Sequence, residues 1–214
     1  MFFYFFSVNP ASVQKYVTAQ KNSSPANTVV DVGQARADWS MKNFNVLIPK
    51  SKFSQAYGEA FNLAFNELEV LDSTNRTVIL PEMVKIKSYS AAKDYNAITL
   101  SMAKIASLNE IQKKREVILA NYLKSFAAAN NGTADKEANQ LTADFISAAG
   151  KMNDAYIAFS VMLDGLASGK ISEQLAGEAQ KTTETLVASK ADFMAANKKL
   201  VDFFVSTLQA DAKN

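Results

Sequence analysis

The 214-residue sequence predicts a mainly all-α protein: an elongated antiparallel bundle of three long helices plus a shorter fourth, with a small irregular or mixed amino-terminal cap. Three observations predict it. The four prolines stand at positions 10, 25, 49 and 81, so helix-breaking residues stop near 81. Beyond that point apolar residues return every three or four positions over long stretches. Those stretches are divided only by Asn130-Asn131-Gly132 and Ser168-Gly169-Lys170, short glycine-containing breaks of the kind that end helices and turn the chain back.

In chain order, residues 1–50 read as a cap or arm. Asn9 before Pro10 is a helix start, with Asn as N-cap and Pro in the first turn, and Val13, Tyr16 and Val17 then share a face over about 10–20. Lys21 to Thr28 is a loop by composition. Phe44 to Ile48 and Thr77 to Leu80 are β-branched and aromatic enough to pair as two short strands.

Residues 51–214 read as the helical bundle. Ser51 is placed to cap a helix over about 52–71, whose Phe53, Tyr57, Ala60, Ala64, Leu68 and Leu71 make an amphipathic stripe ended by Asp72-Ser73-Thr74-Asn75. Long helices are expected over about 82–129, 134–168 and 171–211. At about 1.5 Å per residue, segments of roughly 35–48 residues span about 50–70 Å, and short turns force neighbours antiparallel.

Heptads are visible in all three. In the middle helix Phe145, Met152, Phe159 and Leu166 form one row, with Leu141, Ala148, Ala155 and Met162 beside it. The last helix carries Ala179, Leu186, Phe193 and Leu200, paired with Leu175, Thr182, Ser189, Ala196 and Phe203. The first begins a seam at Ala91, Tyr95, Ile98, Met102 and Ile105. It then meets Asn109 and Gln112, and an apolar seam resumes one residue out of step at Leu108, Ile111, Ile118 and Tyr122, which implies a bend or a change of supercoil.

Composition narrows the chemistry. Cysteine and histidine are both absent, which excludes disulfides, thiol nucleophiles, Ser-His-Asp triads and zinc sites built on thiolate or imidazole. Glu67, Glu69, Asp135, Glu137, Asp144, Asp154 and Asp164 show no metal-loop spacing, and there is no Walker loop or GxGxxG, so neither a catalytic residue nor a cofactor is expected. The charge is +2, from 23 basic and 21 acidic residues, and Lys113-Lys114-Arg115 is an isolated basic run, which gives no case for nucleic acid. Asn22, Asn75 and Asn131 head glycosylation sequons of a kind that chance supplies in a chain rich in Asn, Ser and Thr.

One segment stands apart. Phe2, Phe3, Tyr4, Phe5 and Phe6 are five consecutive apolar residues with no polar face. Buried at roughly 1.5–3 kcal/mol each they would contribute several kcal/mol to an assembly contact, or to contact with a membrane surface. Without a basic flank the run is a poor signal peptide, and it is far short of the roughly 20 residues of a membrane span. The expectation is a non-catalytic structural or assembly protein, partnered by copies of itself or by other subunits of a particle, filament or surface assembly. A helical pore-forming protein and a ligand-binding sensor or adaptor, with a cavity near Thr182 and Ser189, are the alternatives.

Overall fold

A computed structural model describes the backbone of residues 47–168 and 173–213, and the side chains of 47–168 and 181–213. The helix expected over 10–20, the loop at 21–28, most of the strand expected at 44–48 and the Phe2 to Phe6 run lie outside the described residues.

The described chain is helical, with no strand. Its elements are α1 (Gln55–Thr74), a π-helical turn (Asn75–Ile79), α2 (Leu80–Ala91), α3 (Tyr95–Asn130), α4 (Lys136–Ala167) and α5 (Glu173–Asp211). α1, the π turn and α2 follow one another without a break, so they form one helix of a four-helix bundle. α3 packs back along α1 and α2, α4 along α3, and α5 along α4. Side chains close the circuit between α5 and α1, Phe61 against Phe204 and Lys190 against Asp72.

The bundle is the predicted one, with two changes at its first helix. The long helix expected over 82–129 begins at Tyr95, and residues 82–91 belong instead to the helix expected to stop near 71. The fourth helix is therefore as long as its neighbours. Thr77 to Leu80, expected as a strand, lies in the π turn and the start of α2.

Pro81 explains the first change. A proline has no N–H and its ring presses on the carbonyl four residues back, here Thr77. The turn holding Thr77 is widened, and the Leu80 N–H bonds to the Asn75 carbonyl five residues back. A turn of that width accommodates the ring, so the helix bends past Pro81 instead of ending. The true stop comes at Lys93, in left-handed backbone at φ 56°. The Lys93 N–H donates to the Ser90 carbonyl at 3.1 Å and the Asp94 N–H to the Tyr89 carbonyl at 2.9 Å, a Schellman end. Asp94 then caps α3, its carboxylate accepting from the Ala97 N–H at 3.0 Å. Glycine is the usual residue at that left-handed position, so Lys93 hides the stop from a reader of the sequence.

Other caps are local. Ser54, not Ser51, caps α1 by accepting from the Tyr57 N–H at 3.2 Å. Ser51 donates to Asp211 at the far end of α5, and Lys52 to Asp135, which itself caps α4. The loop before α1 is thus tied to two other helices.

The core has two characters along its length. At the end where α1 starts it is aromatic: Phe53, Tyr57, Phe61, Phe65, Phe126, Phe145, Phe193 and Phe204 are all buried, and the Phe61 ring centroid lies 5.6 Å from Phe126 and from Phe204 and 5.4 Å from Phe145. Such edge-to-face clusters pack densely and add about 0.5–1.5 kcal/mol per pair beyond area burial. Past Leu68 a layer of buried polar side chains interrupts an otherwise apolar interior.

Candidate functional site

The polar layer is built from heptad positions. On α3 the inward rows are Ile98, Ile105, Gln112, Leu119 and Phe126, and Asn109, Glu116, Leu123 and Asn130, all buried. These rows keep step from end to end. The slip expected at Asn109 is absent, because the two amides and Glu116 face inward while Ile111, Val117 and Ile118 face outward. α4 uses the predicted row Phe145, Met152, Phe159 and Leu166. On α5, Leu186, Phe193 and Leu200 are buried as predicted; of the second row expected, Ser189 is buried and Ala196 and Phe203 are half-buried against the core, while the row Thr183, Lys190, Asn197 and Phe204, one residue along, is buried throughout. A buried lysine and asparagine disguise that row. Ala179 and Leu175 lie outside the described side chains.

Asp72 of α1 is the centre of the layer. Lys190 of α5 donates to both its carboxylate oxygens, at 2.9 and 2.8 Å, and the Tyr156 hydroxyl of α4 donates to one of them at 3.0 Å. Arg76, in the π turn, stands 3.8 Å away. Burial pushes the Lys190 ammonium below its ordinary pKa, against the pull of Asp72. Beside this group Asn75 donates to Gln112 of α3 at 3.1 Å, and Asn109 donates to the Ser160 carbonyl and to Asp164 of α4, both at 2.8 Å. Asn75 Oδ1, Asn109 Oδ1, Asn153 Oδ1 and Gln112 Nε2 find no hydrogen-bond partner among the described residues. At roughly 1–3 kcal/mol for each unmet buried group, the layer is a costly way to fill a core.

Glu116 links the layer to the outside. Its residue is 4% exposed, and its carboxylate accepts from the Ser160 hydroxyl. Burial raises its pKa above the ordinary 4.5; the Ser160 bond and the Lys113 charge work the other way. Glu116 and Ser160 floor a groove of about 380 Å³ between α3 and α4, walled by Val117, Ala120, Ile157 and Val161 and edged by Lys113, Asn121 and Lys124. A further cluster joins α2 to α3: Glu82 accepts from Ser101 at 2.9 Å, Lys104 at 3.0 Å and Lys85 at 3.2 Å, and those bonds, Lys104 first, hold its carboxyl down to about 2.

The residues singled out from sequence are sorted by this geometry. Phe2, Phe3, Tyr4, Phe5 and Phe6 lie outside the described residues. The Ser189 hydroxyl donates to the Thr185 carbonyl at 2.6 Å within its own helix, and the groove lies on the opposite pair of helices. In the basic run, Lys113 pairs with Glu110 and Asp164, and Arg115 donates to Glu67 of α1 at 2.9 Å, so these cations cross-link helices. Asn75, the head of one sequon, is fully buried. Among the described residues no group of three or more acids converges as a metal would need, and no helix is long and apolar enough to cross a membrane. Sequence reading missed Asp72, Lys190 and Glu116 because each interrupts an apolar row. The heptad count alone, continued through Gln112 and Glu116, marks two of the inward polar positions.

Compared with known protein families, curated proteins and solved structures, the chain matches none.

Proposed function

We propose that the chain is a non-catalytic structural or assembly protein, a helical rod that packs with copies of itself or with other subunits. One observation carries the reading. The bundle fills its own core, yet it turns large apolar side chains to solvent along α3 and α4: Val117 is 63% exposed, Val161 65% and Leu100 72%, with Ile111, Ile118 and Ile157 also exposed. Isolated exposed apolar residues are ordinary, but rows of them along neighbouring helices are the usual mark of a contact surface. Ion pairs tie the helices to one another and to the loop before α1: Asp135 with Lys52, Glu67 with Arg115, Glu82 with Lys104, Asp72 with Lys190.

The Phe2 to Phe6 run, apolar on every side, belongs to the same proposal as a second contact element. Light scattering after size exclusion tests both parts. The full chain is expected to exceed its 23.3 kDa monomer mass at high concentration, and a variant lacking residues 1–8 to assemble less. A strict monomer at all concentrations, unchanged by the deletion, sinks the reading.

A further inference from the structure

We infer that the α3–α4 face is a two-fold contact between two copies of this chain, with the helices of the copies antiparallel and the axis passing at Val117. The inference rests on the assembly reading and specifies its geometry.

The observation behind it is a self-complementary row on α3. Glu110, Val117 and Lys124 are seven residues apart, so they lie in one line along the outer side of the helix, with an acid at one end, an apolar residue at the centre and a base at the other. Each charge stands about 10 Å from Val117. All three are exposed, and Val117 and Lys124 border the α3–α4 groove. A two-fold axis across the helix at Val117 exchanges the ends of the row. It sets Lys124 against the second copy's Glu110, twice, and Val117 against itself.

α4 carries charges of both signs. Asp164 lies beside Glu110 at one end, where Lys113 contacts both, and Lys151 and Asp154 are both exposed farther along the helix. On α3 the acidic end of one copy therefore meets the basic end of the other, while Ile157 and Val161 of α4 add apolar surface beside the row. Parallel docking would set like against like. The opposite flank of α3, with Ile111 and Ile118, has no such row: Lys104 and Ser125 stand seven residues beyond them at its two ends, with no acid to answer the base. Complementary charge chooses orientation and partner more than it sets affinity, and that is the part it plays here.

Gly150 gives the face room. A side chain added there would meet nothing within 4 Å, so the surface of α4 is open at that position.

The absence of cysteine makes the test direct. In the full chain, Val117→Cys is expected to form a disulfide-linked dimer under mild oxidation, because a residue on the axis faces its own copy, whereas Ile118→Cys, about 100° round the helix, stays unlinked. Lys124→Glu is expected to weaken association about fivefold to tenfold by sedimentation, and Lys124→Glu combined with Glu110→Lys to restore it. If the wild type associates but Val117→Cys and Ile118→Cys link equally, and the charge variants change nothing, this face is wrong while the assembly reading stands. If the wild type is monomeric throughout, both fall. If the thiol introduced by Val117→Cys is shielded from alkylation in a chain of monomer mass, another segment of the same chain covers the face, and the two-fold contact is overturned.

Discussion

Glu116 shows how one side chain holds two demands. Its helix position faces the core, and its carboxylate borders a groove that reaches water. Folding raises its pKa, so between the ordinary 4.5 and its folded value the native state holds a proton that the unfolded chain has lost. Stability contributed by this group is therefore complete below that window and is lost as pH rises through it. Glu116→Gln keeps the shape and cannot ionise. The variant should gain on the wild type in thermal stability from pH 4 to pH 7; a constant difference across that range would show that Glu116 keeps an ordinary pKa. Asn109 and Gln112 were visible in the sequence as polar letters on the seam of α3. Their role was not, because a polar residue in an apolar row reads equally as a slip of register or as a buried hydrogen-bonding group, and only the opposite helix decides.

At the scale of the element, the first helix carries the lesson. Its residues from Gln55 to Ala91 look like two pieces in sequence, since Asp72-Ser73-Thr74-Asn75 are turn formers and Pro81 is a breaker. In the fold Asp72 and Asn75 are held by other helices, and the π turn takes up the proline ring. The stop is at Lys93 instead, where a left-handed φ of 56° is imposed on a residue with a Cβ. That conformation costs roughly 1–2 kcal/mol for an L-residue and nothing comparable for glycine. Lys93→Gly is expected to raise the unfolding free energy by about 1 kcal/mol, less the entropy that glycine adds to the unfolded chain, as read from the urea midpoint at unchanged slope. A loss of stability would show that the Lys93 side chain makes a contact that outweighs the strain.

Across the whole molecule, the Asp72–Lys190–Tyr156 group joins three helices at one level. A buried ion pair is a poor source of net stability, because desolvation cancels most of its attraction, yet removing one partner leaves a stranded charge. Lys190→Leu should therefore cost about 3–5 kcal/mol, and Asp72→Leu with Lys190→Leu should recover most of it. Full additivity of the two losses in calorimetry or denaturant titration would mean the pair is not coupled. The pair also resists misalignment: shifting α5 by one heptad would set Thr183 or Asn197 against Asp72 and leave the buried carboxylate without its cation. The aromatic end supplies packing energy without such selectivity, since Phe, Leu and Met exchange neighbours at small cost.

The sequence by itself determined the helical class, the hairpin turn after Asn130, and the apolar rows of α4, because these depend on local capping and on a 3.6-residue period that needs no knowledge of neighbours. It determined too that no cysteine or histidine chemistry operates here. Only the tertiary structure decided that the helix runs through Pro81, that α3 keeps its heptads through Asn109, Gln112 and Glu116, and which α5 row faces inward. Each of those outcomes turns on a polar or conformationally awkward residue, and whether such a residue is tolerated inside a helix or a core depends on the hydrogen bonds and charges that distant parts of the chain bring to it.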